Sequence, residues 1–305
     1  MNGRAVAITA LAGIASGLLF LSMIRGGGLL PVAGYLVQLP ILLCGLGLGP
    51  FSAALASAGA LGTTLLASGL VAAAVLLIVQ LVPALLVSRR ALLHRGEAAR
   101  VEWYPLGRLA AETALYVGAV ALAAILWLET AGVGVDTLVR FFLLYLASGL
   151  GGSATAVALD TALAGWLPWI PGIVAVSWLL MIWTNAALAQ ALLARSGRAL
   201  RPSPVLAELV LPGWVVPAVL LAIAVARLSS DGPAYAAGVV ALLGGALLFL
   251  AGLAVLHAFV VQRRLGRTPL VVLYLLLLLF SWPLVLVVAA LGLVEELVGL
   301  RRRLA

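Results

Sequence analysis

Apolar runs of about 20 residues follow one another along almost the whole chain, and that is the length a helix needs to cross the hydrocarbon core of a bilayer. They cover residues 5–24, 29–48, 50–68, 69–88, 109–128, 168–194, 213–228, 234–261 and 270–293. In lipid every backbone N–H and C=O must find an internal partner, so only helices and closed barrels can span. Barrel strands alternate in hydropathy over about 10 residues, and these runs do not alternate. Composition agrees, because 65% of the 305 residues are hydrophobic and 9% charged, far from the roughly half-apolar, quarter-charged balance of soluble domains. The expected fold is all-α: a polytopic transmembrane helix bundle of about eight to nine spans forming one integral membrane domain over 1–305.

The same runs leave no room for a soluble catalytic or nucleotide-binding domain, so any ATP-driven work is expected to need another chain. Cys44 is the only cysteine and sits in an apolar run, which excludes a disulfide framework or a thiolate metal site. The net charge of +8 comes from 18 arginines with no lysine. They lie in short loops between spans rather than on a basic face with interleaved aromatics, so no nucleic-acid partner is expected. The first run, after Arg4, lacks a small-residue cleavage site and is followed by further spans, so it reads as a retained helix.

The arginines set orientation instead. They cluster at Arg89, Arg90, Arg95, Arg100 and Arg108, at Arg195, Arg198 and Arg201, and at Arg263, Arg264 and Arg267. The positive-inside rule makes loops 89–108, 195–212 and 262–269 cytoplasmic and, by parity, the N-terminus too. The expected setting is a bacterial inner membrane. Parity also requires that 138–165 make no net crossing, so this stretch, broken by Gly149, Gly151 and Gly152 and followed by Asp160, reads as a re-entrant or interfacial hairpin. A single crossing at 270–293 would leave Arg301, Arg302 and Arg303 outside. Either Pro283 splits that run into two half-helices that return, or the tail departs from the rule; an inside tail is expected. Within 201–214 the stretch between Pro204 and Pro212, with arginines before it and Trp214 after it, reads either as a short amphipathic helix along the cytoplasmic interface or as a simple re-entry linker.

Polar side chains within spans are costly and are the default functional candidates. Gln38, Gln80, Glu112, Tyr116, Asn185 and His257 are therefore the candidate substrate-binding residues. Glu112 also stands four residues after Arg108, so an Arg108–Glu112 pair at a helix entrance is the plainer reading of that position. His257 has no second ligand at metal-site spacing, and no metal or cofactor is expected. No nucleophile-elbow pattern occurs, and the glycines at 45–49 lack the Lys and Ser/Thr of a phosphate loop; the chain reads as a non-enzyme. Small residues recur every four positions at Ala5, Thr9, Gly13 and Gly17 and at Ala54, Ala58 and Gly62, a spacing that lets helices approach closely.

Leu167-Pro168, Asn185 before Arg195, Pro204 with Leu211-Pro212-x-Trp214, and Gly292-Leu-Val-Glu-Glu before Arg301-Arg-Arg-Leu together resemble the YybS-like family of bacterial membrane proteins. Gln38-Leu-Pro40 leading into Gly45-Leu-Gly-Leu-Gly-Pro50 is similar to the substrate-binding components of energy-coupling factor transporters. That likeness implies a substrate-binding part over 1–194, additional spans over 213–305, and work with a membrane coupling protein and separate ATPase subunits in the lipid bilayer. The face bearing Ala5, Thr9, Gly13 and Gly17 would then meet the coupler. A non-transporting scaffold or regulator of envelope assembly is the other expectation, and convergence of the six polar residues favours transport over it.

In a Cys44→Ser background, single cysteines at positions 95 and 198 should resist an impermeant maleimide in intact cells and react after lysis. Labelling in intact cells reverses the orientation.

Overall fold

The computed structural model describes residues 3–25, 34–96, 101–150 and 164–304. Helices α1 (Gly3–Arg25), α2 (Leu39–Leu48), α3 (Pro50–Leu76) and α4 (Val82–Ala91) come first, the last two joined by a π-helical turn at Leu77–Leu81. A two-residue hairpin, β1 (His94–Arg95) with β2 (Glu102–Trp103), precedes α5 (Leu106–Thr130) and α6 (Val135–Leu150). A 3-10 turn at Ala164–Trp169 opens α7 (Ile170–Arg195), and another at Leu206–Glu208 precedes α8 (Val215–Leu228). Then follow α9 (Asp231–Gln262), α10 (Thr268–Val298) and the short α11 (Leu300–Leu304).

Among the described residues five helical runs are long and apolar enough to cross a membrane: Gly3–Arg25, Pro50–Ala91, Leu106–Thr130, Gly165–Arg195 and Asp231–Gln262. Pro50–Ala91 is not straight, however. Gly69 has φ 81 and ψ −176, outside helical space and open to glycine at little cost. Ser88 and Ala53 both crowd the place where a side chain on Gly45 would stand. In a straight helix those two residues would lie about 50 Å apart at 1.5 Å per residue. The run therefore folds back at Gly69 into two arms, which is where the apolar pattern separates 50–68 from 69–88.

The chain forms two compact units, residues 1–113 with 180–205 and residues 114–179 with 206–305. Helices α5 and α7 each contribute to both units. In the first unit α1 runs parallel to the α3 arm: Gly13 packs on Ala56, Gly17 on Thr63, and Arg25 donates to the Ala67 carbonyl at 2.6 Å. The end where α2 meets α3 also carries Ser88 of α4 and, through a Leu200 N–H bond to the Leu46 carbonyl of 3.2 Å, the loop after α7. Loops 89–108 and 195–205 thus meet at one end, as the arginine distribution leads one to expect.

In the second unit α9 is central, with buried positions along most of its length. Gly244 receives Val219 of α8, while Gly252 and Gly292 let α9 and α10 approach until backbone meets backbone, at the carbonyls of Val288 and Leu248. Pro283 does not split α10, which stays helical through to Val298, so the expected return of two half-helices is corrected. A helix tolerates such a proline by kinking at the lost hydrogen bond. The Arg263–Arg267 turn lies at one end of α10, a 31-residue helix about 45 Å long. At the other end Arg301 donates to the Ala207 carbonyl at 2.8 Å. Tail and residue 207 therefore meet at the end of α10 opposite the Arg263–Arg267 turn. Of the expected hairpin over 138–165, residues 151–163 lie outside the described residues.

Replacing Gly252 with Ala drives a methyl group into the Val288 carbonyl, whereas Gly245 has open space around it. Gly252→Ala should destabilise by about 1–3 kcal/mol, read as a lower apparent Tm in detergent, and Gly245→Ala should not. Equal Tm values for both variants would show that the α9–α10 contact is looser than described.

Candidate functional site

Halfway along the first unit the backbone leaves regular helix twice. Residues 35–38 form turns before α2 begins, and Leu77–Leu81 is π-helical. Ser16 from the middle of α1, Val79 from the π-turn and Asn185 from α7 all reach this level. Ser16 Oγ donates to the Val37 carbonyl at 2.6 Å. Asn185 Nδ2 donates to the Tyr35 carbonyl at 2.6 Å and to Met181 O at 2.9 Å. Gln38 Nε2 donates to the Val79 carbonyl at 3.4 Å. The 35–38 turn is thereby held from three sides by side chains and a backbone carbonyl, as a helix break buried in lipid requires.

Three of the six expected site residues, Gln38, Gln80 and Asn185, belong to this layer. They are 0%, 2% and 2% exposed. Each leaves its amide oxygen without a partner: Gln38 Oε1, Gln80 Oε1 and Asn185 Oδ1. A buried acceptor left unmade costs about 1–3 kcal/mol, and three such oxygens fall on these neighbouring segments, the other unpartnered buried side-chain atoms being at Ser57, Thr64, Ser88, Glu112 and Arg201. The amide orientations of Gln38 and Asn185 follow from what they face. Their NH2 groups point at carbonyls, which only a donor satisfies, so the oxygens must point the other way. The π-turn that carries Gln80 is the kind of bulge found most often at functional sites.

The other three do not join them. Glu112 sits at the loop end of the first unit, where it accepts the Tyr104 hydroxyl at 2.5 Å and meets Arg90 Nε at 2.8 Å. Its partner is thus Arg90 from α4, not Arg108, which stays exposed. Tyr116 stacks edge-on against Trp178, with ring centroids 6.0 Å apart. His257 is shared between the Leu253 carbonyl, 2.8 Å from Nδ1, and Tyr274, whose hydroxyl stands 3.3 Å from Nε2. These are local pairs between neighbouring helices.

The small-residue face of α1 is also accounted for within the chain. Thr9, Gly13 and Gly17 are buried and Ala5 half-buried, and side chains at Gly13 and Gly17 would collide with Ala56 and Thr63. Of the expected coupler contact at Ala5, Thr9, Gly13 and Gly17, the two glycines pack on α3. The stretch 201–214 is no amphipathic helix. Only Leu206–Glu208 is helical there, as a single 3-10 turn, and Leu209 and Leu211 are buried.

A residue that the sequence did not mark proves central to the loop end. Arg201, in the loop after α7, is 92% buried by its 8% exposure. Its guanidinium donates to the Ala91 carbonyl at 3.0 Å and the Tyr104 carbonyl at 3.2 Å, and lies 5.8 Å from the Trp103 ring centre. Gln190 Nε2 holds its backbone carbonyl at 2.8 Å. Burial pushes its pKa below the ordinary arginine value. Among the described residues of this unit the carboxylates, Glu102 and Glu112, are paired with Arg95 and Arg90, so carbonyl dipoles and an aromatic face stabilise the Arg201 charge.

Among the described residues no three His, Cys, Asp or Glu side chains gather as metal ligands. Comparison with protein families, curated proteins and solved structures finds no match.

Arg201→Met should destabilise the first unit by about 2–4 kcal/mol, since two buried carbonyls lose a charged donor. Cleavage by protease between residues 92 and 104 should rise, and unchanged protection would remove Arg201 from this role. The hydrogen bond to Glu112 raises the Tyr104 pKa above 10.0, with desolvation and the same negative charge adding to it. The neutral phenol is thus the form the fold prefers. Its contribution is complete below pH 10.0 and is lost as pH rises through the raised value. Tyr104→Phe should flatten that alkaline loss of stability.

Proposed function

We propose that the chain is the substrate-binding component of a bacterial inner-membrane transport system, taking a small molecule or ion and working with a membrane coupling protein and separate ATPase subunits. The observation that carries this reading is the burial of Gln38, Gln80 and Asn185, each with a partnerless amide oxygen, on segments joined by the Gln38–Val79 and Asn185–Tyr35 hydrogen bonds. Transporter sites form near the bilayer midplane where helices are interrupted, and both the 35–38 turn and the π-turn interrupt helices there. The likeness to YybS-like proteins and, over 1–194, to energy-coupling factor binding components belongs to the same proposal. So do eight to nine spans, counting the two arms of Pro50–Ala91 separately, and a cytoplasmic N-terminus. In support of that orientation, the parallel course of α1 and α3 brings Gly3 toward the end where loops 89–108 and 195–205 meet.

The scaffold reading draws on Glu112, Tyr116 and His257, whose local pairing suits packing rather than a cavity. Solute content separates the two. Protein purified from native membranes in mild detergent, then denatured, should release a small molecule or ion in stoichiometric amount. Gln38→Ala and Asn185→Ala should reduce that content about tenfold, the loss expected when a bound group forfeits a hydrogen bond in a dry site. No solute in the wild type, or equal content in all three proteins, favours the scaffold.

A further inference from the structure

We propose that the amide cluster of the first unit is a site for a dehydrated monovalent cation, sodium, held by Gln38 Oε1, Gln80 Oε1 and Asn185 Oδ1. This rests on reading the cluster as a ligand site and names the class of its occupant. Every partnerless atom there is an acceptor. Asn185 has both amide hydrogens on the carbonyls of Tyr35 and Met181, Gln38 gives one of its two to Val79, and Ser16 donates to the Val37 carbonyl.

The start of α2, which would favour an anion through its free N–H groups, offers little here. Leu39 and Leu42 N–H groups bond to the carbonyls of Leu36 and Gln38 at 3.0 and 2.9 Å, and Pro40 has none. An anion would find acceptors facing it, whereas a cation finds what it needs. Unwound backbone and side-chain oxygens at a helix interruption are the usual cradle for sodium in membrane carriers.

The oxygens are uncharged, and this sets the valence. Calcium and magnesium sites draw on carboxylates. Among the described residues of this unit Glu102 and Glu112 are the carboxylates, and both are tied to arginines at the loop end, with Glu112 also taking the Tyr104 hydroxyl. A neutral oxygen cage in lipid balances one positive charge more readily than two. An ion there would also link three segments far apart in sequence, the 35–38 turn, the π-turn and α7, so its binding should stabilise the fold measurably.

The full-length protein in detergent is therefore heated in sodium chloride and in choline chloride at equal ionic strength. Sodium should raise the apparent Tm by about 2–5 °C, with magnesium and calcium failing to substitute. Gln80→Met keeps the length of the side chain but removes a partnerless oxygen, so it should abolish the sodium-dependent rise without lowering Tm in choline. Ser88→Ala, whose buried hydroxyl lies by Gly45 at the loop end, should keep the rise. Should Gln80→Met fail to fold, Gln38→Met takes its place, and sodium-NMR line broadening on the wild type gives a readout free of any variant.

Equal Tm in sodium and choline with no line broadening overturns the proposal. So does a rise in ammonium but not sodium, which would make the occupant an N–H donor, and so does a full sodium response in Gln80→Met. Loss of the sodium response with solute still copurifying overturns the cation alone, and loss of both overturns the binding-component reading as well.

Discussion

Lipid supplies no hydrogen bonds, and from that single deficit most of this architecture follows. Helices satisfy their own backbones, so they can be apolar all round and packed through small residues. The cost returns wherever the helix is interrupted. At residues 35–38 the chain meets it with a serine from α1, an asparagine from α7 and a carbonyl in the π-turn that anchors Gln38. At the loop end Arg201 does the corresponding work for the carbonyls of Ala91 and Tyr104. The layer at mid-height departs from this economy, because three amide oxygens there have nothing to accept.

Hydropathy made the helical class legible, and even the reversal at Gly69, since an apolar stretch twice the membrane's width must fold back or leave the bilayer. The arginine pattern put loops 89–108, 195–212 and 262–269 on one face, and of these 89–108 and 195–205 are in contact. What it could not carry was geometry beyond the helical repeat. Glu112 was matched to Arg108 because periodicity sees four residues ahead, while its partner Arg90 comes from another helix. Arg201 was counted as a marker of orientation, and nothing in Arg-Pro-Ser-Pro distinguishes a buried cation from a solvated one.

Small-residue spacing was equally ambiguous. Ala5, Thr9, Gly13 and Gly17 advertise a close helix contact but not whose helix, and for the two glycines the answer is the chain's own α3. Polar residues in spans behaved likewise. Position within apolar runs selected six, and the third dimension separated three buried on neighbouring segments from three that pair locally. Gln38 and Asn185 stand 147 positions apart in sequence, a distance no local pattern bridges. The run 270–293 shows the reverse error, in which a proline signal was given more weight than the packing of α10 on α9, where the glycines Gly252 and Gly292 hold the two backbones in contact.

The bond from Asn185 to the Tyr35 carbonyl spans 150 residues. At translation speeds of 5–20 residues per second, α7 emerges roughly 8–30 s after the turn it must complete. For that interval the carbonyl of Tyr35 lacks this donor, and the turn that opens α2 is held only by Ser16 and the π-turn. A ribosome stalled before α7 would leave α2 in the bilayer without its lock.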